Sequence, residues 1–549
     1  MCAKDVRVRY HMPNVRSREH VQAEVASQLL PKFWEKYMAD CPDLDLKSRV
    51  FDGLYSGVDI GCSGPESGVH DNWPSATEFY DAVSNTITQD LHDGRAVGPW
   101  SVPPTAGYVA SPLGAFKRAG TDKIRVIHDL SFPPNNSVND TIDPELFTLQ
   151  YISVDTVAQC VAKYSSPGWL AKSDLSNAFK HIVVNPKQWE KLGFTWDGKF
   201  YCFTILPFGC RSAPFLYDVF ARGLMYMGRV RGMSPDSYHY LDDTVTCSPS
   251  QSACNESIDI FNDTARQAGF EIQEHKCTRA SQTIEFLGIQ IDTVAGTLSI
   301  TQARMNDIKA ELITWQGCSI CTKRQLLSII GKLSFISKVV RAGRTFLRRL
   351  IELSKTAKHL HYKVKLNRSA KADFNWWLAC IESHNGVNIF PTEWSEQDSI
   401  VVFTDSSDLA VGVVVGNQWT VYPFQGDGSK WLQYPIHVRE MLAVCMALST
   451  FCETLRNSNV TFRVDNSAVC YAINSGTTKC PSTMNLVRSL YYMLCKYNVD
   501  CKAVYISTEN NVLADALSRL DMVRFHANLP SADKSMTFPV QAEYLNNDF

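Results

Sequence analysis

The sequence lacks any long apolar segment. It has no run of about 18 uncharged apolar residues, and its first twenty residues, MCAKDVRVRYHMPNVRSREH, are polar and charged. A membrane-spanning helix needs about 20 consecutive apolar residues, and a secretory signal needs a shorter apolar core near the N-terminus. We therefore expect no membrane association, and a protein that works inside the cell, in the cytoplasm, the nucleus or both.

The sequence also lacks paired cysteines and a large net charge. The 18 cysteines are scattered, and the pair Cys318 and Cys321 has no second pair or histidine pair that would complete a zinc site. We expect reduced thiols that fill apolar cores. Because 54 Lys plus Arg stand against 56 Asp plus Glu, the formal net charge is −2, which excludes binding to a polyanion by bulk charge.

One basic stretch would suit a local contact with nucleic acid, although a solvated helix face explains it equally well. Its members are Lys338, Arg341, Arg344, Arg348, Arg349, Lys355, Lys358, Lys363, Lys365, Arg368 and Lys371.

The 549 residues, 45% of them hydrophobic, can bury several cores, and no internal repeat is visible. The periodicity of apolar residues predicts a multi-domain α+β chain in which β-rich and helical segments alternate. The predicted segments are 1–95, an extension of unknown role; 96–298, an α+β domain with one central sheet; 299–355, helical; 356–398, a connector; 399–522, an α/β domain; and 523–549, a tail.

Acidic residues at predicted strand ends suggest a first site. Asp174 closes the run 169–174, and Asp242 with Asp243 lies between two further β-like runs. Neighbouring residues on a strand point to opposite faces, so a hairpin turn is needed to bring both aspartates towards Asp174. Buried carboxylates repel one another unless cations neutralise them, which favours bound metal. The alternative is an exposed turn with no ligand.

A second set of acids follows the same rule. Asp405 and Asp465 end apolar strand-like runs, Glu440 opens an apolar helix, and Asp515 begins another. Each one alone is explained as a boundary residue. Four acids in this order favour a second carboxylate site.

The order of motifs in the first region resembles that of retroelement reverse transcriptases. Seven blocks carry the resemblance: 111–113 (SPL), 123–131 (KIRVIHDLS), 169–184 (WLAKSDLSNAFKHIVV), 206–214 (LPFGCRSAP), 240–243 (YLDD), 276–277 (KC) and 286–288 (FLG). The resemblance implies a right-hand polymerase, with fingers and palm in 96–298, a thumb in 299–355 and a connection in 356–398.

The resemblance also implies a two-metal site. Asp174 and Asp242 would be the principal metal ligands, Asp243 would support them, and the Leu175 carbonyl would complete the coordination. Two Mg²⁺ ions per active site, replaceable by Mn²⁺, would activate the primer hydroxyl and stabilise the leaving pyrophosphate.

The remaining site residues are assigned through the same resemblance. Arg125 with Lys117 or Arg118 would clamp the incoming triphosphate. Phe179 would exclude a 2′-hydroxyl, and Phe208 would shape the floor under the new base pair. Lys276 would protonate or steady the pyrophosphate, although a solvated lysine is an equal alternative. The primer strand would be positioned by Phe286, Leu287 and Gly288.

The second set of acids resembles the D-E-D-D pattern of ribonuclease H, through 401–405, 439–443, 462–466 and 511–519. Under this resemblance Asp405, Glu440, Asp465 and Asp515 bind two Mg²⁺ ions that activate water against an RNA phosphodiester. Gypsy-like relatives carry a histidine where this chain has Tyr505, so slow turnover is expected. Alternatively, Tyr505 is an ordinary core aromatic at a strand end.

The motif style, including 125–131 and 471–476, resembles the DIRS group of tyrosine-recombinase retrotransposons, with gypsy-like and pararetroviral polymerases as alternatives. The implied partners are an RNA template, a DNA primer, an RNA–DNA hybrid and deoxynucleoside triphosphates, with the oligomeric state undetermined. No recombinase, integrase or protease motif follows Leu520, so we expect a polyprotein fragment or a separately encoded recombinase. Two rival functions are a catalytically idle nucleic-acid scaffold and an RNA-templated RNA polymerase.

Overall fold

The computed structural model describes residues 7–11, 22–26, 29–65, 67–117, 122–164, 167–340, 342–381, 385–388 and 399–532. The chain divides into two compact units, residues 1–287 with 292–295 and residues 288–291 with 296–549. Helices and strands alternate in both, so the predicted multi-domain α+β class is confirmed. Within the described ranges, every helix is too short or too polar to span a bilayer.

The N-terminal unit contains fourteen strands and seven helices among its described residues. The strands are β1 Arg7–His11, β2 Gln22–Ala26, β3 Gly68–Val69, β4 Ala96–Trp100, β5 Val109–Ala110, β6 Leu113–Lys117, β7 Ile124–His128, β8 Trp169–Asp174, β9 Gly193–Trp196, β10 Lys199–Phe203, β11 Ser237–Tyr240, β12 Asp243–Ser248, β13 Thr278–Ser281 and β14 Thr283–Phe286. The helices are α1 Pro31–Met38, α2 Leu44–Ser56, α3 Pro74–Glu78, α4 Tyr80–His92, α5 Val154–Ala162, α6 Ala213–Val230 and α7 Gln251–Ala268.

The sheets of this unit correct the prediction of one central sheet. A four-stranded sheet has the order β11-β12-β8-β13, and a separate five-stranded sheet has the order β3-β5-β9-β10-β4. Strands β9 and β10 are joined by Asp197 and Gly198, both at positive φ, with Trp196 paired to Lys199. A two-residue Asp-Gly turn of this kind closes a local hairpin. Strand β10 therefore pairs with β9 and β4 instead of joining β8.

The helices before residue 95 belong to the same core as these sheets. Trp34 of α1 is fully buried, its ring lies 5.8 Å from that of Phe220 on α6, and its indole N–H donates to the Ala268 carbonyl at 3.1 Å. Helix α2 also packs against α6. Helices α1 and α2 thus support the helices that cover the four-stranded sheet, while α3 and α4 pack on β6, β4 and β7, which corrects the assignment of these residues to an extension.

The C-terminal unit contains ten strands and ten helices among its described residues. The strands are β15 Ile289–Asp292, β16 Thr297–Ser299, β17 Ile320–Thr322, β18 Lys363–Lys365, β19 Val387–Asn388, β20 Ile400–Ser406, β21 Ala410–Val415, β22 Gln418–Pro423, β23 Asn459–Val464 and β24 Asp500–Tyr505. The helices are α8 Gln302–Gly317, α9 Lys323–Ile336, α10 Arg348–Lys355, α11 Arg368–Cys380, α12 Ile436–Thr450, α13 Cys452–Leu455, α14 Ser467–Ser475, α15 Pro481–Tyr497, α16 Val512–Ser518 and α17 Met522–Asn528.

A mixed five-stranded sheet organises the end of this unit, in the order β22-β21-β20-β23-β24. Strands β20, β21 and β22 are antiparallel neighbours, whereas β20, β23 and β24 run parallel. Helix α12 packs against β20 and β21, and its residues 438–449 are all buried. The predicted α/β order after residue 400 is confirmed.

Helix α17 extends this domain beyond its predicted end. Phe525 is fully buried and its ring lies 5.2 Å from that of Trp419 on β22. Ala532 belongs to the same apolar cluster. The described residues assigned to a tail, 523–532, therefore complete the domain, which corrects the predicted boundary.

A buried ion pair joins the connector to this domain. Arg488 of α15 donates to the Asp373 carboxylate on α11, and the two residues are 1% and 0% exposed. The Arg488 guanidinium also donates to the Thr345 carbonyl at 3.2 Å and lies 4.6 Å from the Phe346 ring centroid. Burial, with Arg349 nearby, lowers the pKa of Arg488 to about 9. Helix α11 and the five-stranded domain are thus coupled by desolvated charge.

Breaking this pair should destabilise the C-terminal unit. Asp373→Asn leaves the buried Arg488 guanidinium without its carboxylate partner, at a cost of about 3–5 kcal/mol in the free energy of unfolding. Arg488→Gln should cost less, because Asp373 keeps an ion pair with Arg349 at 3.9 Å. The double variant Asp373→Leu/Arg488→Met should be less destabilised than either single variant, because no buried charge remains. Urea unfolding followed by tryptophan fluorescence measures this cost.

The control Arg456→Gln removes an exposed pair with Glu453 and should leave the urea midpoint close to that of the wild-type protein. Single variants that unfold at the same urea concentration as this control would contradict a structural role for Arg488 and Asp373.

Candidate functional site

The first carboxylate site forms where two antiparallel strands meet. Asp174 ends β8 and pairs in register with Asp243, which begins β12. Directly opposed residues in antiparallel strands share a face of the sheet. Leu241 lies at φ 52° in the turn before β12, and the Leu175 N–H donates to the Asp242 carbonyl at 3.1 Å. The predicted hairpin turn thus brings Asp242 beside the other two aspartates.

The electrostatics of this site differ from those of an exposed turn. Burial raises the pKa of Asp243 to about 6, and the charges of Asp242 and Asp174 add to this effect. Burial also raises the pKa of Asp242, while Lys276 and Arg125 act in the opposite direction. Asp242 and Asp243 are only partly exposed. The alternative of an exposed turn is therefore wrong.

Lys276 compensates this negative charge in the protein itself. Its Nζ donates to both oxygens of Asp174, at 3.1 and 3.0 Å. The alternative of a purely solvated lysine is excluded by this contact. Its predicted role towards pyrophosphate stays a prediction.

Phe179 sits between two other aromatic rings. It follows Asn177, which lies at φ 50°, and its ring centroid is 5.2 Å from those of Phe208 and Tyr217. Tyr217 is fully buried, and its hydroxyl finds no hydrogen-bond partner among the described residues. Burial, followed by the nearby charge of Asp242, holds the pKa of Tyr217 well above its usual value. Tyr217 was missed in the sequence because an aromatic in an apolar helix is typical core.

The two predicted triphosphate clamps differ in their surroundings. They lie on the β6–β7 hairpin, where Lys117 pairs in register with Ile124 and Arg125 with Phe116. Lys117 forms an ion pair with Asp122 at 2.7 Å, whereas Arg125 is exposed and acts electrostatically on Asp242. The third predicted cation, Arg118, lies outside the described residues.

The predicted primer-positioning segment forms a turn. Phe286 is buried, while Leu287 and Gly288 have φ values of 50° and 76°. The boundary between the two compact units falls after Leu287. The primer contact itself stays a prediction.

The second carboxylate site lies on the five-stranded sheet of the C-terminal unit, β22-β21-β20-β23-β24. Asp405 is near the end of β20, Asp465 follows β23, Glu440 lies in α12 and Asp515 in α16. One oxygen each of Asp405, Glu440 and Asp465 lie within 4.8 Å of one another. A cavity of about 530 Å³ opens here, lined by Asp405, Ser406, Ser407, Asp408, Leu409, Ile436, Glu440, Asp465, Asn466, Thr508, Asp515 and Arg519.

This cluster carries more buried acid than its protein donors can satisfy. Burial raises the pKa of Glu440 to about 9, with Asp405 and Asp465 contributing, and raises that of Asp405 to about 6. The Ser406 N–H donates to Glu440 Oε1 at 3.1 Å, but the buried Oε2 has no hydrogen-bond partner among the described residues. Carboxylate oxygens are the ligands that Mg²⁺ prefers. The donor set therefore fits a divalent cation.

Polar and basic residues complete the second site. The Thr508 hydroxyl donates to Asp465 Oδ2 at 2.8 Å, and Arg519 and Arg524 form ion pairs with Asp515 at 2.7 and 2.6 Å. Thr508 and Arg524 were missed, because neither belongs to the D-E-D-D pattern. The one available signal was their proximity in sequence to Asp515.

Tyr505 is not a core residue. It ends β24, pairs in register with Val464 and is 56% exposed. The core alternative is therefore wrong, and a role for Tyr505 in turnover stays a prediction.

The basic stretch divides into residues with different partners. Arg349 donates to Asn485 at 3.0 Å and Arg348 pairs with Glu352 at 2.8 Å, while Arg341 lies outside the described residues. A groove of about 570 Å³ lies between α10, the start of α11 and the start of α15. Its lining consists of Arg348, Arg349, Glu352, Leu353, Thr356, Asn367, Ser369, Thr478, Lys479, Pro481, Met484 and Asn485.

Residues 120–291 match the family model described as reverse transcriptase (RNA-dependent DNA polymerase). The chain is 30% identical over 199 residues to the Pro-Pol polyprotein of Feline foamy virus, an alignment that covers 34% of this chain and 16% of that protein. It is 23% identical over 431 residues to the Transposon Tf2-3 polyprotein of Schizosaccharomyces pombe, covering 75% of this chain and 29% of the relative. An enzymatic polyprotein of Cassava vein mosaic virus is 23% identical over 369 residues, an alignment that covers 64% of this chain and 52% of that protein.

The chain thus spans between about a sixth and about half of the length of these relatives. Among solved structures, the foamy viral protease-reverse transcriptase in complex with dsDNA aligns with a TM-score of 0.49 at 16% identity, covering 88% of this chain and 99% of that one. Its complex with RNA/DNA hybrid aligns with a TM-score of 0.47 at 15% identity, covering 89% of this chain and 64% of that one. By the family match, residues 120–291 form a reverse transcriptase domain of the kind found in retrotransposon and viral polyproteins.

Glu440 should make the metal-free protein less stable as the pH rises. Its pKa is about 9 in the folded protein against an ordinary value of 4.5, so between these values the unfolded chain releases a proton that the folded state keeps. Stability falls with pH across this window. Glu440→Gln should remove this contribution and stabilise the protein in EDTA at pH 8 by at least about 1 kcal/mol.

Urea unfolding at pH 5 and pH 8 tests this expectation, with the exposed Glu453→Gln of the same domain as control. Equal pH dependence in Glu440→Gln and the wild-type protein would rule out a buried, protonated Glu440.

Proposed function

We propose, on the premise that residues 120–291 are a reverse transcriptase domain, that the chain is an RNA-directed DNA polymerase joined to a ribonuclease H. It copies retroelement RNA into DNA and degrades the RNA strand of the resulting hybrid. The observation that carries this proposal is the presence of two separate carboxylate centres, one inside the matched segment and one on the five-stranded sheet, each with acids whose pKa burial raises.

In the polymerase centre, Asp174, Asp242 and Asp243 would hold two Mg²⁺ ions, which activate the primer hydroxyl and stabilise the leaving pyrophosphate when bound. Before metal ions bind, the Lys276 ammonium group neutralises the Asp174 carboxylate. From this position the ammonium group can shift its contact to the negatively charged pyrophosphate. Arg125 is exposed on the β6–β7 hairpin and is available to the triphosphate as a planar donor.

Selection of the sugar is assigned to Phe179. Its ring is held by Phe208 on one side and by Tyr217 on the other, so it has little freedom to move away from the site. A fixed ring at this position leaves no room for a 2′-hydroxyl, which supports deoxynucleotides as substrates. An RNA-templated RNA polymerase would need a small residue here.

The ribonuclease H assignment rests on the second centre. In the strand order β22-β21-β20-β23-β24, two antiparallel pairings are followed by two parallel ones, and Asp405 and Asp465 lie at neighbouring strand ends. Glu440 reaches the same cavity from α12, and Asp515 does so from α16. Asp405, Glu440, Asp465 and Asp515 would hold two Mg²⁺ ions, and the chemistry supplied would be the activation of water against an RNA phosphodiester.

The nucleic-acid partners are an RNA template, a DNA primer and the RNA–DNA hybrid. The groove that contains Arg348, Arg349 and Lys479 supports contact with a phosphate backbone within the C-terminal unit. The presence of all seven acids argues against an idle scaffold, which has no need of costly buried carboxylates. The motif style of 125–131 and 471–476 supports an element of the DIRS group.

The two activities should be separable by single substitutions. Asp242→Asn should abolish DNA synthesis and leave RNA cleavage within a few-fold of wild type, and Asp465→Asn should do the converse, because the centres lie in different compact units. Primer extension on RNA and DNA templates, with a labelled RNA strand to report cleavage, measures both.

The exposed Asp259→Asn serves as the control in the polymerase unit and should leave both activities unchanged. DNA synthesis that survives in purified Asp242→Asn would remove the first centre from the mechanism, and absence of both activities in the wild-type chain would favour the scaffold.

Replacing Phe179 should relax the choice of sugar. Phe179→Val opens space for a 2′-hydroxyl without touching an aspartate, so discrimination against ribonucleotides should fall at least tenfold, or about 1.4 kcal/mol. Single-nucleotide incorporation kinetics with deoxy- and ribonucleotides give the ratio. Tyr217→Phe keeps the supporting ring and should preserve the wild-type ratio, whereas an unchanged ratio in Phe179→Val would assign the gate to another residue.

A further inference from the structure

Asp515 differs from the other three acids of the C-terminal site in its partners. Its Oδ1 accepts from Arg519 Nε at 2.7 Å and its Oδ2 accepts from Arg524 Nη1 at 2.6 Å, while its side chain is only 6% exposed. Both carboxylate oxygens are therefore engaged by guanidinium groups. Glu440 Oε2, by contrast, is buried with no donor among the described residues.

The two arginines reach Asp515 from different places. Arg519 directly follows α16, the helix of Asp515, and its side chain is 58% exposed. Arg524 belongs to α17, whose N-terminus is capped by Asp521 Oδ1 accepting from the Arg524 N–H at 3.0 Å. The neighbouring Phe525 is fully buried against Trp419. Helix α17 is thus anchored on the sheet in a position that delivers Arg524 to the acid.

A guanidinium and a divalent cation cannot share these oxygens without strong repulsion. Two like charges about 4 Å apart repel, and the repulsion is largest where water is excluded, as at this largely buried carboxylate. A cation that binds Asp515 must therefore displace an arginine. The trio Asp405, Glu440 and Asp465 has oxygens within 4.8 Å of one another, and Glu440 Oε2 in this trio is buried with no donor among the described residues.

We propose that Arg524 is a positioning residue that competes with the second divalent cation for Asp515. The C-terminal site then takes one cation at Asp405, Glu440 and Asp465 and takes the second only when Arg524 leaves Asp515. This inference rests on the proposed ribonuclease H function, and it makes α17 the element that sets how readily the site completes itself. Arg524 is favoured over Arg519 as the competitor because its guanidinium comes to Asp515 from a separate helix, whereas Arg519 directly follows the helix of Asp515 itself.

The test is a Mn²⁺ titration of the full chain, followed by the electron paramagnetic resonance signal of free Mn²⁺. The chain carries Asp174→Asn and Asp242→Asn, so that binding reports the C-terminal site. We expect one tight and one weak Mn²⁺ in this background. Arg524→Gln should tighten the weak Mn²⁺ at least about threefold and leave the tight one unchanged, whereas Arg524→Lys, which keeps the charge, should stay within about twofold of the background.

The matched control is Arg456→Gln, since the Arg456 and Arg524 side chains are 42% and 41% exposed and both pair with an acid of the same domain. This control should leave both binding constants unchanged. If the weak Mn²⁺ binds Arg524→Gln with the same affinity as it binds the control, or with lower affinity, competition between Arg524 and the second cation is overturned.

A further variant separates failure of this inference from failure of the proposed function. Glu440→Gln should remove the tight Mn²⁺. If the tight Mn²⁺ persists in Glu440→Gln, the proposed metal centre is itself wrong. If it is lost in Glu440→Gln but Arg524→Gln changes nothing, the centre stands and Arg524 has no part in its loading.

Discussion

Repulsion between clustered carboxylates is the constraint on which the rest of this structure depends. Asp174, Asp242 and Asp243 crowd one centre, and burial with mutual repulsion raises the pKa of Asp243 to about 6. Without a divalent cation, side chains of the protein supply part of the missing positive charge. Lys276 binds both oxygens of Asp174, and Arg519 and Arg524 bind those of Asp515. In each centre part of the negative charge is thus balanced by cationic side chains of the protein itself.

The scaffold makes this repulsion tolerable by fixing the backbone on which the acids stand. Asp174 and Asp243 are opposed across an antiparallel ladder, and Glu440 projects from a helix whose residues 438–449 are all buried. Dense packing of this kind prevents the acids from relaxing apart. The buried pair of Arg488 and Asp373 extends the same rigidity from the five-stranded domain to α11. Desolvated charge therefore serves both the proposed chemistry and the architecture.

Much of the fold followed from local signals, and the errors have local causes. The runs that contain Asp174, Asp242 and Asp405 were predicted as strands from their apolar composition, and all three are strands or adjoin one. The prediction of one central sheet missed the Asp197-Gly198 turn, a short-range hairpin signal that was present in the sequence. Phe525 lay in a segment assigned to the tail, because a helix of seven residues is too short to show a periodic pattern of apolar residues.

The sequence by itself determined which acids exist, their order, and the strand ends on which they lie, because apolar periodicity and element boundaries are local properties. Only the tertiary structure decided which charges meet. Lys276 and Asp174 are 102 residues apart, and Arg488 and Asp373 are 115 apart, so their pairing depends on how separate elements pack. Burial was also decided there, since the same carboxylate has an ordinary pKa in water and, as in Glu440, a pKa of about 9 once the fold removes the water.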